Sequence, residues 1–371
     1  MRYILDVSNI VHGAYHAPNP RYVEGFPVSG IRRILGLINA SYPMHEMALC
    51  FDGGDLLKKE LLPEYKSGRI PNYSVLAQIE LLEEILTDCG IPYYKKPKYE
   101  ADDFICSVVN MASRIGDTTE TVIISDDQDL SCCVNDVTSI KGATSNGAVV
   151  NKSNYCDRAL RKSGKQLYIP YNTSLVYKTL NGDDSDVYKA LHLPGITFEN
   201  LANDYVSLIS PFIENGSFSD SAYFNYDVFC AAIEELPGNY SKESKQALIE
   251  RGRIAFPYFM PVLDVSVEEL IEEIHQKQEP LYRGLYRHSK IFGNGCFDLD
   301  RLHAYCSVLG LNRCRPSRDK DPFSDLHEGI REKLKDRAKA LSDGSLAAEK
   351  YVSRTHQKAQ PMTLPDLPLP L

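Results

Sequence analysis

The sequence predicts an α/β fold, in which a central, mostly parallel sheet has helices on both faces and is followed by a helical region. In the first part of the chain, short apolar runs typical of buried strands alternate with segments whose apolar residues recur at helical spacing. Such alternation indicates βαβ units, whose strands pair in parallel. Three of the apolar runs end at an aspartate, and beyond residue 170 the pattern is helical.

The elements can be placed in chain order. Strands are predicted over residues 2–5, 47–51, 92–94 and 121–125. Helices are predicted to begin at Ser29, at Ser74, which would cap a helix that Gly90 ends, and at Asp102. The helix from Ser29 has an apolar face made of Ile31, Ile34, Leu35 and Ile38. Further helices are predicted over 267–274 and in parts of 315–358, and the Pro-rich end from 360 to 371 is expected to be a mobile tail.

Length and composition are those of an ordinary globular protein. The chain has 371 residues, of which 43% are hydrophobic and 25% are charged. No apolar run approaches the roughly 20 residues that cross a bilayer, and the N-terminal apolar run is too short for a signal peptide. The ten cysteines contain no CxxC pair, so we expect reduced thiols in a cytoplasmic protein. The net charge of −9 argues only weakly against a nucleic-acid partner.

Acidic residues follow three of the predicted strands. Asp6, Asp52 and Asp127 each stand just beyond a strand. Because parallel sheets build their sites at the edge where the strands end, we expect these three carboxylates to converge.

Acidic residues are also clustered along the chain. The clusters lie at 100–103, 125–129 and 181–186, and in the last of them Asp183 and Asp186 would share a helical face. Taken singly, each cluster is explained better by helix capping or turn formation than by metal binding. Together they predict divalent metal ions, because gathered carboxylates repel each other, and oxygen ligands select Mg²⁺ or Mn²⁺ over zinc. The candidate ligands are Asp6, Asp52, Glu100, Asp102, Asp103, Asp127, Asp129, Asp183 and Asp186.

A basic segment between Asp52 and Glu100 supplies cations for a charged substrate. Lys66 and Arg69 are candidates to grip a reacting phosphate, and Tyr65 is a candidate to stack on a base. Lys58 and Lys59 extend the candidate nucleic-acid contacts. A solvated charged loop explains the segment equally well when it is taken alone.

The ordered motifs resemble those of the structure-specific 5′-nucleases, which include flap endonucleases, the 5′-nuclease domain of bacterial DNA polymerase I and phage 5′ exonucleases. The matching strings are Ile4-Leu-Asp6, Phe51-Asp52, residues 62–69, Glu100-Ala-Asp102-Asp103, residues 124–130 and residues 182–186. The resemblance implies a first metal site made of Asp6, Asp52, Glu100 and Asp102. It implies that the other five acids (Asp103, Asp127, Asp129, Asp183 and Asp186) form or support a second site.

The resemblance also implies an activity and a division of the chain. Residues 1–190 would be the nuclease core, with an arch segment at about 54–74 that carries Lys66 and Arg69 to the scissile phosphate. Residues 191–312 would be a helical DNA-binding region and 313–371 a charged, partly disordered tail. The implied enzyme is a monomeric 5′→3′ exonuclease and flap endonuclease that acts, with two Mg²⁺ or Mn²⁺ ions, on DNA and on RNA–DNA hybrids in primer removal or repair.

Some positions depart from the family pattern. Val7 stands where the family has glycine, Gly13 stands where it often has arginine, and only Leu193-Pro-Gly-Ile196 matches the helix-hairpin-helix. These departures favour a divergent, phage-type member, and because no polymerase domain is recognised after the motifs we expect a free-standing enzyme. Asp366-Leu-Pro-Leu-Pro-Leu371 resembles the peptides that bind a sliding clamp, with Leu367, Leu369 and Leu371 as contacts, although Asp366 stands where glutamine is usual. An unremarkable chain end is the favoured explanation of this segment.

Two other functions are compatible with the sequence. A PIN-like endoribonuclease would share the fold and the acids, but the long basic segment between Asp52 and Glu100 favours the 5′-nuclease. A junction-binding replication adaptor would not cut, and the retained acids disfavour it because a phosphate-binding surface gains from losing them.

Overall fold

A computed structural model describes residues 1–41, 46–54, 56–127, 129–143, 149–154, 160–162, 165–167, 169, 171–183, 186, 188–214, 223–259, 298–311 and 324–345. Its described strands are β1 (Arg2–Asp6), β2 (Tyr22–Val23), β3 (Phe26–Pro27), β4 (Glu46–Phe51), β5 (Tyr94–Lys95), β6 (Thr121–Ile124), β7 (Thr138–Lys141), β8 (Val149–Val150), β9 (Leu160–Lys162) and β10 (Lys165–Leu167). Six of them form the main sheet in the order β5-β4-β1-β6-β7-β8. The β2–β3 and β9–β10 pairs are separate antiparallel hairpins.

The described helices are α1 (Val7–Tyr15), α2 (Ser29–Ser41), α3 (Leu57–Leu61), α4 (Tyr73–Asp88), α5 (Ala101–Arg114), α6 (Ser174–Asn181), α7 (Phe198–Glu214), α8 (Tyr226–Glu234), α9 (Lys242–Ala255), α10 (Leu299–Val308) and α11 (Ser324–Ser342). Two short 3-10 helices, Asp129–Cys133 and Tyr171–Thr173, connect β6 to β7 and lead into α6. Within the described ranges, no helix combines the length and the apolar character needed to cross a bilayer.

The main sheet is parallel except at one edge. β1 pairs in parallel with β4 on one side and β6 on the other, while β7 and β8 pair antiparallel. The adjacent strands β4, β1 and β6 therefore run the same way and end at the same edge. The predicted fold class, a mostly parallel sheet with helices followed by a helical region, is confirmed.

Apolar side chains of the strands point alternately to the two faces of the sheet, and helices cover both faces. Ile4 and Ala48 pack on one face with the buried sides of α5, α6, α8 and α9. Leu5 and Leu49 pack on the other face with α1, α2, α4, α10 and α11. Successive side chains of a strand point to opposite faces, so two adjacent apolar residues feed two different cores.

Most predicted boundaries in the N-terminal half agree with the structure, with two corrections. Ser74 does not cap a helix: α4 begins at Tyr73, and Asn72 is its N-cap, with its side-chain oxygen accepting a hydrogen bond from Val75 N at 3.2 Å. The strand predicted over 92–94 is Tyr94–Lys95, because only those residues pair with β4. Helix α1, which follows Asp6 immediately, was not predicted.

The C-terminal helices return to the N-terminal core. Ile330 and Leu334 of α11 are buried against the same core as α2 and α4, and Arg331 and Lys333 of this helix pair with Glu24 and Glu84. Part of the segment assigned to a charged tail is thus a packed helix. The helix predicted over 267–274 and the clamp-like leucines Leu367, Leu369 and Leu371 lie outside the described residues.

Candidate functional site

Three adjacent strands deliver acidic residues to one edge of the sheet. Asp6 ends β1, Asp52 follows β4, and Asp127 lies three residues after β6. Asp6 is 4% exposed, caps α1 by accepting a hydrogen bond from Asn9 N at 3.1 Å, and accepts another from the hydroxyl of Ser125 at 2.8 Å. Both carboxylate oxygens of Asp6 thus accept a hydrogen bond, one from the start of α1 and one from the residue that follows β6, and these bonds fix its orientation.

Two glycines let the backbone close around this edge. Gly53 follows Asp52 and donates to Tyr99 O at 2.9 Å, and a Cβ at this position would lie 1.7 Å from Lys96 O. Gly182 precedes Asp183 and has a φ of 72°, which favours glycine, and a Cβ there would lie 2.5 Å from Tyr188 O. Glycine is required at both positions to bring Asp52 and Asp183 to the site.

The carboxylates of Asp6, Asp102 and Asp127 repel one another. Burial, together with the charges of Asp52 and Asp127, raises the pKa of Asp6 to about 7. Burial and the charges of Asp127 and Asp6 raise the pKa of Asp102 well above its usual range. Burial and Asp129 raise the pKa of Asp127 to about 6. These three groups are held close enough that each opposes the ionisation of another.

A second group of acids contains a buried lysine. One oxygen from each of Asp129, Asp183 and Asp186 lies within 4.8 Å of the others. Asp183 is bonded in both directions to the backbone of Tyr188, so it lies in a bridge and not on the helical face that was predicted. The ammonium of Lys178, which projects from α6, contacts both Asp129 and Asp183. Burial lowers the pKa of Lys178, but these two carboxylates outweigh it and hold that pKa well above its usual range.

Glu100 is engaged by cations of the arch segment. Its carboxylate lies 2.9 Å from the Lys58 ammonium and 2.5 Å from that of Lys66, and the Tyr65 hydroxyl donates to it at 3.1 Å. Burial would raise the pKa of Glu100, but the two lysines hold it well below its usual range. Glu100 is therefore a charged anchor for the arch in this arrangement.

Asp103 has a different environment from its neighbour Asp102. One of its oxygens accepts a hydrogen bond from Glu100 N at 2.9 Å, which completes a capping box at the start of α5. The other accepts from Tyr258 N at 2.8 Å. Both oxygens are thus used to fix backbone, whereas Asp102 points into a cleft.

The cleft brings the acids and the basic segment together. It is lined by Lys58, Tyr65, Lys66, Arg69, Asp102, Asp127, Asp129 and Asp186, and by apolar residues that include Leu130, Leu175 and Ile254. Arg69 is half exposed and contacts Asp186 at 2.8 Å. Tyr65 is only 2% exposed, and its hydroxyl donates to Glu100 and Asp186, so its ring is not placed to stack on a base. Lys58 is buried and Lys59 is exposed.

Several polar residues of the site were not predicted. Lys178 gave no signal because it lies outside the acidic clusters, in a helix of mixed polarity and five residues before Asp183. Ser125 donates to Asp6 and also accepts from Asp127 N at 2.9 Å, and Ala101 N donates to Asp52 at 2.9 Å. The serine between strand β6 and the aspartates was a usable signal, since a hydroxyl there can bond both ways.

Comparison with known proteins finds a family model that matches the first part of the chain. Residues 1–159 match the model of the 5′-3′ exonuclease N-terminal, resolvase-like domain. The N-terminal part of this chain is therefore similar to that domain family. A 5′-3′ exonuclease of Aquifex aeolicus is 34% identical over 135 residues, which cover 34% of this chain and 46% of that protein. DNA polymerase I of Chloroflexus aurantiacus is 29% identical over 172 residues, 46% of this chain and 17% of the polymerase.

The matched stretches cover less than half of the length of each of these two relatives, and the same holds for a third. A flap endonuclease, Xni, of Vibrio vulnificus is 30% identical over 130 residues, 34% of this chain and 49% of that protein. Among solved structures, the zinc-bound T5 5′-exonuclease is 16% identical with a TM-score of 0.41, over 91% of this chain and 100% of that one. At such a score the likeness does not bear on this chain's activity.

The donors of this site suit hard divalent cations. The two groups offer carboxylate oxygens, which are the ligands of Mg²⁺ and Mn²⁺. Asp6, Asp102 and Asp127 repel one another, and a cation relieves that repulsion. Asp129, Asp183 and Asp186 are also spaced for a cation, but Lys178 already supplies one charge there.

The crowded carboxylates predict how stability depends on pH without metal. The pKa of Asp6 is raised from 3.8 to about 7 in the folded protein, so stability from its protonated form is complete at low pH and is lost as pH rises through about 7. In EDTA, the melting temperature of the protein should therefore fall between about pH 5 and pH 8 relative to that of an Asp6→Asn variant. The asparagine retains an acceptor for Asn9 N and removes the charge.

The difference between the two proteins reports the titration of Asp6 together with its coupling to Asp102, and groups that do not interact with Asp6 contribute equally to both proteins. His12 has a pKa lowered by burial and by His16, and it contributes a slope of the opposite sign to both proteins. Calorimetry in EDTA at several pH values measures the difference. Parallel pH profiles for the two proteins would contradict the proposed crowding.

Proposed function

We propose that this protein is a divalent-metal-dependent 5′→3′ exonuclease and flap endonuclease that cleaves DNA and the RNA strand of RNA–DNA junctions. The observation that carries the proposal is the cleft in which Asp102, Asp127, Asp129 and Asp186 face Lys66 and Arg69. Carboxylates alone would repel a phosphodiester, and cations alone would only bind it. Their combination in one cleft suits hydrolysis.

The acidic residues of the site fall into three groups according to their contacts, two that would each hold an ion and one that supports them. Asp6, Asp52 and Asp102 are the residues that would hold a first ion, and Asp127, whose charge raises the pKa of both Asp6 and Asp102, would be a further ligand. Asp129, Asp183 and Asp186 would hold a second ion. When bound, Mg²⁺ or Mn²⁺ would activate water and stabilise charge on the phosphate. Glu100 and Asp103 would not bind an ion directly but would hold the ligands in place. Glu100 anchors the arch through Lys58 and Lys66, and Asp103 completes the capping box of α5.

The arch segment would orient the substrate. Lys66 has a left-handed backbone with a φ of 54°, and its ammonium lies 2.5 Å from Glu100 and 3.7 Å from Asp186. Strain of this kind is found where a side chain is held for function. The Arg69 guanidinium is the more exposed of the two cations and is suited to bidentate contact with a phosphate. Lys59 lies further out on the same segment and would contact the incoming strand.

The test is cleavage of flap substrates labelled at the 5′ end or at the 3′ end, with Mg²⁺, with Mn²⁺ and with EDTA. We expect metal-dependent products cut at the base of the 5′ flap and stepwise shortening from a recessed 5′ end. Parallel substrates with an RNA flap or primer measure the activity on hybrids. Tight binding without cleavage in either metal would favour a non-catalytic junction adaptor, and cleavage of unpaired RNA alone would favour an endoribonuclease.

A further inference from the structure

Three cysteines from two elements meet beneath the acidic cleft. Cys106 lies on α5, and Cys132 and Cys133 lie in the 3-10 helix Asp129–Cys133. Their sulfur atoms all lie within 4.8 Å of one another, and the Sγ atoms of Cys106 and Cys133 are 3.3 Å apart. All three are at most 3% exposed, and none forms a disulfide. Packing of small apolar side chains does not by itself require three sulfur atoms to lie within 4.8 Å of one another.

The separations suit coordination of one ion. Sulfur binds zinc at about 2.3 Å, so three thiolates around one such ion lie about 3.8–4.0 Å apart. The 3.3 Å between Cys106 and Cys133 is somewhat shorter than that value and no separation exceeds 4.8 Å, so small side-chain adjustments suffice. Cys106 and Cys132 also line the acidic cleft, which gives an ion a path of entry and leaves room for water as a fourth ligand.

We propose that Cys106, Cys132 and Cys133 form a binding site for one thiophilic cation of the class of Zn²⁺, Cd²⁺ and Cu⁺. Each thiol that binds releases its proton to solvent. Soft sulfur ligands select these ions over Mg²⁺, which the carboxylates of the cleft select. The site is thus separate from the carboxylate groups in ligands and in preferred ion, and it does not depend on the proposed nuclease activity.

Such an ion would join the two elements that carry cleft acids. Asp102 lies one helical turn before Cys106, and Asp129 lies three residues before Cys132. Fixing the three sulfurs to one ion would therefore hold α5 against the 3-10 helix at the floor of the cleft. The Lys178 charge, which lies beside Asp129, would offset part of the negative charge of three thiolates.

The experiment titrates the reduced, full-length protein with Cd²⁺ in the presence of excess Mg²⁺, which competes for the carboxylates. We expect an ultraviolet sulfur-to-cadmium charge-transfer band that saturates at one Cd²⁺ per chain. The band should be lost in Cys106→Ser and Cys133→Ser and retained in Cys89→Ser, a buried cysteine on the other face of the sheet. A band that survives both cluster substitutions, or that is lost equally in Cys89→Ser, would overturn the proposal.

A second measurement needs no variant and so does not depend on how the substitutions fold. X-ray absorption at the cadmium edge of the wild-type complex should give three sulfur neighbours. Oxygen or nitrogen neighbours alone would place the ion in the carboxylate groups and reject the site. A count of free thiols in denaturant distinguishes the remaining outcome, since two thiols fewer than the ten cysteines without a band would mean a disulfide in place of a metal site.

Discussion

Replacing Asp127 with asparagine is expected to lower cleavage roughly 1000-fold, because a metal ion supplies several kcal/mol of transition-state stabilisation and each ~1.4 kcal/mol is a factor of ten. Asparagine keeps the oxygen that accepts Asp129 N at 2.9 Å, so the turn is preserved. It removes one charge from the group in which burial and Asp129 raise the pKa of Asp127 to about 6. At pH 8 in EDTA the variant should therefore melt at the same temperature as the wild-type protein or higher. Rates on a 5′-labelled flap and calorimetry measure the two effects.

Asp126 is the matched control, since it precedes Asp127 and is exposed. Its carboxylate accepts from Ala143 N at 3.2 Å and is not among the groups that raise the pKa of Asp6, Asp102 or Asp127. Asp126→Asn should keep cleavage within about threefold, in keeping with the small effects of surface substitutions. If Asp127→Asn lost stability together with activity, a structural role would replace the metal-binding one. Equal rates for both variants would remove Asp127 from the proposed site.

The sequence was sufficient to predict those parts of the fold and of the site that depend on local residue pattern and on strand direction. The strands predicted over 2–5, 47–51 and 121–125 are β1, β4 and β6, although β6 ends at Ile124. Parallel pairing alone then requires that Asp6, Asp52 and Asp127 lie at one edge of the sheet. The apolar face of α2 was readable from helical spacing, and its four predicted residues are buried. In each case one rule about chain geometry fixes where the side chains point.

The parts of the site that could not be predicted from the sequence depend on contacts between segments that are distant along the chain. Lys178 reads as a surface residue until α6 is packed against the 3-10 helix, where it meets Asp129. Tyr65 reads as a stacking residue until the arch folds inward and its hydroxyl reaches Asp186, 121 positions away. The cysteine cluster has no spacing motif, because Cys106 and Cys133 come from different elements. Sequence periodicity carries no information about such pairings.

The buried ion pair at the start of β1 predicts the largest effect on stability. The Arg2 guanidinium, 1% exposed, lies 3.0 Å from the Asp117 carboxylate, 3% exposed. Asp117 also accepts from Thr119 N at 2.9 Å, so it ties the start of β1 to the turn that leads into β6. Asp117→Ala removes a counter-charge from the buried guanidinium and should cost about 3–5 kcal/mol of the free energy of unfolding. Urea denaturation in EDTA measures this loss.

The exposed ion pair of Glu60 and Lys98 is the control that separates the effect of burial from the effect of losing an ion pair. Its atoms are 2.8 Å apart and both side chains are about half exposed, so Glu60→Ala should cost under ~1 kcal/mol. An Arg2→Met, Asp117→Leu double variant should recover most of the loss, because an apolar pair needs no counter-charge. Since Asp6 lies at the other end of β1, the single variant should also show weaker Mg²⁺-dependent protection against denaturation. A loss of Asp117 no larger than that of Glu60 would mean that the pair does not anchor the strand that carries Asp6.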